Sequence, residues 1–369
     1  MSRTKAVRDT DNDALLSKAA AVAQGYFADP LIPLLLPPPS PSSSSRSSTP
    51  PPRRLPLINR GTYIRHAAVS RLVDAFIHSG GKQIISLGAG SDTRPFHLLA
   101  RAPDLIYHEL DFAVSARAKA VLVRRHSQLN SVLDPERTVY NIPEPARSSF
   151  AAFTAAKTQR SSHLPSSTVE AALTSPNYYI HGLDLRSLTS SSSILALPGL
   201  DPSLSTLIIS ECCLCYLEPA EADLVLSSIL SVFSSSPSTA ASPSPQLGIV
   251  SYEPFSLSDS FGKVMVQNLA SRGISIPAMI AFPTLRAQLD RLRNLGFTIA
   301  SGADVKFIHD IWIDDSDRQR IDSLEVLDER EEFDLLAKHY GVYWACTQSA
   351  DPLEFCGVFA NWSVFPHQT

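Results

Sequence analysis

The sequence of 369 residues predicts a doubly wound α/β fold, in which a mostly parallel sheet carries helices on both faces. Short apolar runs alternate with amphipathic segments along the chain, which is the pattern of alternating strands and helices. A glycine-containing turn follows the first apolar run, and polar residues recur where later runs end. In such a sheet, ligands bind beyond the carboxyl ends of the strands, near the switch in strand order.

Residues 83–111 (QIISLGAGSDTRPFHLLARAPDLIYHELD) predict a unit that binds a nucleoside. Gln83–Leu87 has the composition of a buried parallel strand, and the Gly-Ala-Gly turn at 88–90 lets the backbone approach a ligand closely. Residues 106–110 form the next predicted strand, with Asp111 at its end. About 20 residues separate the turn from Asp111, which is the usual distance to the carboxylate that binds ribose hydroxyls.

The turn lacks the features of the common phosphate-binding loops. Ser91, Asp92 and Thr93 follow it, so the third glycine of a dinucleotide site is missing, and the Gly-Lys-Ser/Thr of a P-loop is absent as well. A short turn followed by a strand-end acid suits S-adenosylmethionine, which has no phosphate. A dehydrogenase and a plain strand–turn–helix unit remain alternatives at this point.

The predicted helices have apolar residues at helical spacing, and Asp11, Asn12 and Asp13 are candidate caps near the start of the first. These helices lie at 9–28, 59–78, 113–129, 218–233, 262–272, 282–295 and 318–339.

The later strands are short apolar runs bounded by turn residues. They are predicted at 178–181, 204–210, 247–252 and 297–300, with a final antiparallel pair at 343–347 and 355–364. Gly88, Asp111, Asp184 and Glu211 follow four of the predicted strands, so we expect them to meet at one edge of the sheet.

Composition favours one domain, 1–369, with disordered Ser/Pro-rich insertions near 37–54 and 234–245. The net charge of −4 gives no signature of a partner that is nucleic acid or an anionic membrane. The N-terminus lacks the apolar region of a secretory signal, so we expect a cytoplasmic protein, with the nucleus as a second location. We expect a monomer. Cys212 and Cys215 have a C-x-x-C spacing, but no second pair accompanies them, so no metal site is predicted.

Several stretches together resemble the leucine carboxyl methyltransferases. This family methylates the C-terminal leucine carboxylate of the protein phosphatase 2A catalytic subunit and so regulates assembly of the phosphatase holoenzyme. The matching stretches are 17–32, 58–77, 84–96, 108–112, 182–186, 209–217, 252–269 and 321–345. The resemblance implies the Rossmann-like sheet of a class I S-adenosylmethionine-dependent methyltransferase, with N-terminal helices and inserted substrate-binding segments.

The resemblance also implies which residues bind S-adenosylmethionine. They are Lys18 and Arg65 at its methionine carboxylate, Gly88 along its length, Asp111 at the ribose hydroxyls, Asp184 and Leu185 beside the adenine, and Glu211 near the amino group. The long insertion at 37–54 and the loops at 147–177 and 234–245 depart from the family pattern, so loop-borne substrate contacts are not carried over.

Two residues are implied in catalysis. Tyr216 would lie at the mouth of the site near the methyl sulfonium, and Arg65 would also clamp the substrate carboxylate. A peptide C-terminal carboxylate has a pKa of about 3.3–3.7, so it is ionised at neutral pH and needs no general base. The implied partner is the C-terminal tail of the phosphatase catalytic subunit.

Other functions remain open from the sequence. A related enzyme could methylate another carboxylate or a hydroxyl. The tRNA-modifying branch of the family is disfavoured, because the chain has no blade-like repeats and is mildly acidic. A nucleotide-binding scaffold without catalysis is the alternative from another class.

Overall fold

The computed structural model describes residues 3–36, 53–142, 170–234, 245–328 and 330–347. The predicted insertions near 37–54 and 234–245 fall outside these residues except at their edges. The described strands are β1 Gln83–Leu87, β2 Ile106–Asp111, β3 Val139–Tyr140, β4 Glu170–Thr174, β5 Tyr178–Gly182, β6 Thr206–Glu211, β7 Leu247–Pro254, β8 Ile299–Asp304 and β9 Tyr340–Cys346. They form one sheet in the order β3-β4-β5-β2-β1-β6-β7-β9-β8.

The centre of the sheet is parallel, as predicted. Strands β5, β2, β1, β6 and β7 pair in parallel, and the chain reverses its direction of growth between β1 and β6. Every residue of β1 and β7 is buried, which explains why these strands are continuous apolar runs. The predicted doubly wound arrangement is therefore confirmed, and the switch point lies beyond the carboxyl end of β1.

Antiparallel strands complete both sides of the sheet. Strands β3 and β4 extend it beyond β5, and β9 lies between β7 and β8, antiparallel to each. The strand predicted at 343–347 is thus present as β9. Its predicted pairing with 355–364 is wrong, because β7 and β8 occupy both edges of β9; residues 355–364 themselves lie outside the described residues.

The helices pack on both faces of the sheet. They are α1 Arg3–Ala23, α2 Ile32–Leu35, α3 Pro56–His78, α4 Arg94–Arg101, α5 Ala113–Arg125, α6 Ser127–Asn130, α7 Ser191–Leu195, α8 Pro219–Ser234, α9 Ser260–Ser271, α10 Pro277–Ala281, α11 Leu285–Leu295, α12 Val305–Phe307, α13 Asp315–Leu324 and α14 Arg330–Ala337. Ile84 belongs to the core beneath α1, α3, α4 and α5, whereas Ile85 belongs to the core beneath α7, α8 and α11. In the described ranges, no helix is both long and apolar enough to cross a bilayer.

Two helix predictions need correction. Helix α1 begins at Arg3 rather than at residue 9, so Asp11 lies inside the helix and does not cap it. The single helix predicted at 318–339 is two helices, because Glu325 adopts an extended backbone after α13. The Glu325 carboxylate accepts a hydrogen bond from the amide of Asn59 on α3 at 2.9 Å, a long-range contact that local sequence cannot indicate.

Candidate active site

A cavity of about 500 Å³ opens at the carboxyl ends of the central strands. Helices α1 and α3 provide walls on one side, and the turns after β1, β2, β5 and β6 provide the floor. The structure brings all of the residues predicted for the site to this cavity, which are Lys18, Arg65, Gly88, Asp111, Asp184, Leu185, Glu211 and Tyr216. Their individual roles stay predictions.

The turn after β1 has a backbone that requires glycine. Gly88 has a φ of +61°, and a Cβ there would lie 2.6 Å from Sγ of Cys213. Gly90 has a φ of +48°, and a Cβ there would collide with the carboxylate of Asp11 from α1. Both glycines therefore leave backbone exposed to the cavity at positions where a side chain would be excluded.

Asp111 supports this turn from the end of β2. One of its oxygens accepts the N–H of Gly90 at 2.7 Å, and the other accepts the N–H of Phe112 at 2.6 Å. Burial and the neighbouring carboxylate of Asp11 raise the pKa of Asp111 to about 6. Asp111 is thus mostly ionised at neutral pH, and it retains lone pairs that can accept ligand hydroxyls.

A chain of alternating charges also lines the cavity. Lys18 lies 3.4 Å from Asp92, and Arg94 bridges Asp92 at 2.7 Å and Glu211 at 2.9 Å. Arg65 completes the chain through its Nε, which donates to Glu211 at 2.6 Å. Three cations face two carboxylates, so this network carries a net charge of +1.

The carboxylates in the network are held in their ionised form. Burial opposes ionisation of Glu211, but Arg65 and Arg94 outweigh it and lower its pKa to about 2. Burial likewise opposes ionisation of Asp92, and Arg94 and Lys18 hold the pKa of that carboxyl far below its usual range. Neither carboxylate is a useful proton acceptor at neutral pH, because both are already committed to cations.

Arg65 has two donors that the ion pairs of this network do not use. Its guanidinium lies over the ring of Tyr252, 4.5 Å from the centroid, and Tyr252 stacks in turn on Tyr340. Within the described ranges, neither terminal nitrogen of Arg65 donates a hydrogen bond. Since Arg65 lines the cavity, these two nitrogens can bind an anionic group of a ligand.

Tyr216 ends the short 3₁₀ helix Leu214–Tyr216 that follows β6. Arg3 of α1 donates a hydrogen bond to its carbonyl at 2.9 Å, which holds the turn against α1. Burial and the neighbouring thiols of Cys215 and Cys212 raise the pKa of Tyr216 well above its ordinary value. The phenol is therefore neutral and can donate a hydrogen bond, but it does not act as a base.

Asp184 and Leu185 lie at the end of the cavity beyond β5. Asp184 accepts hydrogen bonds from the backbone N–H and the guanidinium of Arg186, at distances from 2.5 to 3.0 Å. Leu185 is buried in the core beneath α7, α8 and α11, and it contributes an apolar surface to the cavity. A ligand ring there would contact Leu185 and a carboxylate already oriented by Arg186.

Some residues of the site were missed by sequence reasoning. Asp92 and Arg94 directly follow the glycine turn, and two opposite charges so close to a predicted ligand site were a usable signal. Asp11, Tyr252 and Lys119 gave no such signal. Lys119 is buried, donates to Glu109 at 2.7 Å and to the carbonyl of Asp92 at 2.6 Å, and so anchors the turn to the sheet.

A doubly wound sheet with a glycine turn, a strand-end acid and a cavity at the switch point defines the class of α/β proteins that bind ligands beyond the carboxyl ends of their strands. A family model described as leucine carboxyl methyltransferase matches residues 6–230. The chain belongs to this family. It is therefore a methyltransferase, and the sheet order agrees with the predicted class I fold.

Curated relatives extend the match to nearly the whole chain. Leucine carboxyl methyltransferase 1 of Yarrowia lipolytica is 42% identical, and the alignment covers 94% of this chain and 98% of that protein. The protein of the same name from Aspergillus fumigatus is 38% identical, covering 100% of this chain and 89% of its own. The protein of that name from Schizosaccharomyces pombe is 32% identical, and the alignment covers 93% of this chain and 95% of that protein.

Proposed function

We propose that this protein transfers a methyl group from S-adenosylmethionine to the α-carboxylate of the C-terminal leucine of the protein phosphatase 2A catalytic subunit. The methyl ester would regulate assembly of the phosphatase holoenzyme. Family membership supports the class of reaction, and the geometry of the cavity supports the donor and the acceptor.

The cavity residues fit S-adenosylmethionine. A volume of about 500 Å³ lies within the usual range for small-molecule sites, about 300–1,000 Å³. The turn at Gly88 offers bare backbone, and Asp111 offers carboxylate lone pairs at the distance along the chain that ribose recognition requires. The network of Lys18, Arg94 and Arg65 with its two carboxylates has an excess of positive charge, which suits the methionine carboxylate.

The unused donors of Arg65 are the observation that carries the proposal. A peptide carboxylate entering this cavity loses part of its hydration, so it is stabilised by a cation that already lies there. The terminal nitrogens of Arg65 present a planar pair of donors, which matches the two oxygens of a carboxylate. Because Glu211 and Tyr252 hold the guanidinium from behind, the clamp is oriented before the substrate arrives.

The chemistry requires orientation rather than proton transfer. S-Adenosylmethionine supplies a methyl group that is activated by its sulfonium. The acceptor carboxylate is ionised at neutral pH, so no side chain has to remove a proton. Arg65 would hold one carboxylate oxygen in line with the methyl group, and Tyr216 would donate a hydrogen bond near the mouth. Orientation of this kind is worth up to about 7–11 kcal/mol.

An apolar part of the wall supports a leucine side chain as the terminal residue of the substrate. This part combines residues of α3, α12, α14 and β9 that line the cavity, namely Leu57, Val305, Phe333, Leu336, Ala337 and Tyr340. Apart from the phenol of Tyr340, these six side chains carry no polar group, so a buried charged terminal side chain would be disfavoured.

A methyl-transfer assay tests the proposal. The purified protein is mixed with S-adenosylmethionine labelled in its methyl group and with the intact phosphatase catalytic subunit, and a subunit lacking its last leucine is the matched control. We expect label on the intact subunit alone, released by mild base as an ester is. Tight donor binding without label on the subunit would overturn the proposed acceptor and point to another carboxylate or a hydroxyl.

A further inference from the structure

Helix α1 crosses directly over the turn that follows β1, and Asp11 makes the contact. Its carboxylate accepts the backbone N–H and the side-chain hydroxyl of Ser91, each at 2.8 Å. On the other side of the same turn, Asp111 accepts the N–H of Gly90 at 2.7 Å. Two carboxylates from different elements therefore hold successive N–H groups of one turn.

Asp11 occupies an interior position of α1. It lies well inside the helix, where aspartate is a poor helix former because it competes for backbone hydrogen bonds. Its carboxylate reaches across to another element, and the missing side chain of Gly90 provides the space that it occupies. The contact thus depends on Gly90, whose positive φ of +48° independently favours glycine at this position.

Other contacts hold α1 in the same position. Lys18 lies 3.4 Å from Asp92, and Arg3 donates to the carbonyl of Tyr216 at 2.9 Å. Between these two ends, Asp11 joins α1 to Ser91 by two hydrogen bonds and packs against Gly90. Removing the contact of Asp11 should make both the turn and the middle of α1 more mobile.

We propose that Asp11 is a positioning residue of the methyl-donor site, which shapes the turn at Gly90 and Ser91 and acts on Asp111 across that turn. This inference rests on the proposed function, because it takes the occupant of the turn to be S-adenosylmethionine. Asp11 acts through the turn and through Asp111, and it is not assigned a contact with the donor.

The effect of Asp11 on the ionisation of Asp111 depends on all of the groups that face Asp111. They are Asp11 from α1, Lys119 from α5 and the thiol of Cys213 after β6, together with the N–H groups of the turn. Burial and Asp11 raise the pKa of Asp111 to about 6, whereas the N–H groups and Lys119 lower it. Removing the charge of Asp11 should therefore lower the pKa of Asp111 and keep it ionised to lower pH.

The test measures donor affinity by titration calorimetry over a range of about pH 5 to 8, where the ionisation of Asp111 changes. The wild type should lose affinity as the pH falls through about 6, because a protonated Asp111 is a weaker acceptor for hydroxyls. Asp11→Asn keeps the size of the side chain and removes its charge, so its loss of affinity should begin at lower pH. Asp11→Ala also removes the hydrogen bonds to Ser91, so its affinity at about pH 8 should fall about 10-fold.

The matched control is Asp9→Asn. Asp9 lies on the same helix, is exposed, pairs with Lys5 and does not line the cavity. Its pH profile should coincide with that of the wild type. Hydrogen exchange of residues 88–93 should accelerate in Asp11→Ala and remain at the wild-type rate in Asp9→Asn.

An unchanged pH profile in Asp11→Asn would overturn the inference, even if the variant melted at a lower temperature, because a purely structural aspartate would behave in that way. If Asp11→Ala does not fold, the profile of Asp11→Asn decides alone. Absence of donor binding by the wild type at every pH would instead overturn the proposed function, and the inference with it.

Discussion

Replacing Arg65 by alanine should remove most of the methyl transfer and leave the fold in place. The fold should survive because Glu211 keeps its second partner, Arg94, at 2.9 Å and is not left as an unpaired buried charge. Turnover should fall because the variant loses both terminal nitrogens that we assign to the substrate carboxylate.

The expected size of the loss follows from those two donors. A hydrogen bond to a charged group contributes about 1.5–3 kcal/mol, so two of them contribute about 3–6 kcal/mol. Lost from the transition state, this corresponds to a decrease of about 10²- to 10⁴-fold in kcat/KM. Arg65→Lys keeps the charge but loses the planar pair, so we expect a smaller decrease of about 10- to 100-fold.

The assay is the transfer of labelled methyl to the phosphatase subunit, with melting temperature and donor affinity measured on the same samples. Arg71→Ala is the control, since Arg71 lies on the same helix, outside the cavity, and donates to the carbonyl of Trp312. It should retain wild-type activity. If Arg65→Ala keeps kcat/KM within about threefold of the wild type and melts normally, the assignment of Arg65 as the carboxylate clamp is refuted.

Three further predictions concern the turn after β1, the acid at the end of β2 and the buried strand β7. Asp111→Asn should weaken S-adenosylmethionine binding about 10-fold by calorimetry, with the exposed Asp104→Asn as its control. Gly88→Ala should lower the free energy of unfolding by about 1–2 kcal/mol or more, and should block donor binding, because the new Cβ meets Cys213 and the φ is positive. Burial raises the pKa of Glu253 to about 7, above the value of about 4.3 in an unfolded chain, so the wild type loses stability as the pH rises through this interval. Glu253→Gln lacks this loss. Its melting temperature should therefore rise relative to that of the wild type as the pH is raised from about 5.5 to 8.

Each of these has an outcome that would contradict it. Equal donor affinity in Asp111→Asn and the wild type would remove Asp111 from the site. Wild-type stability in Gly88→Ala would show that the turn relaxes without cost. A constant difference in melting temperature across the pH range would mean that Glu253 does not change its protonation within that interval.

The parts of the site that were predictable are those encoded within a short stretch of chain. Gly88 and Asp111 belong to one strand–turn–helix–strand unit, so their separation along the sequence nearly determines their separation in space. The partners of Asp11 and Arg65 could not be predicted in the same way. The contacts of Asp11 with Ser91 and of Arg65 with Glu211 depend on how α1 and α3 rotate against the sheet.

The same distinction separates correct from incorrect fold predictions. The parallel strands were recognisable because burial on both faces makes each a continuous apolar run, as in β7. The break between α13 and α14 was missed because Glu325 is held by Asn59, far away along the chain. The place of β9 was missed because pairing partners in a sheet leave no mark on local composition.

The position of β9 has a consequence for the order in which the protein is completed during synthesis. The ribosome releases β7 and β8 before β9, yet neither can bond to the other, because β9 lies between them. Until residues 340–346 emerge, β7 has an open edge of apolar residues, which is a template for aggregation. Tyr340, which supports Tyr252 behind Arg65, arrives with the same strand. The nascent chain therefore cannot complete the aromatic support behind Arg65 until it closes its sheet, and a premature stop before residue 340 would leave β7 exposed.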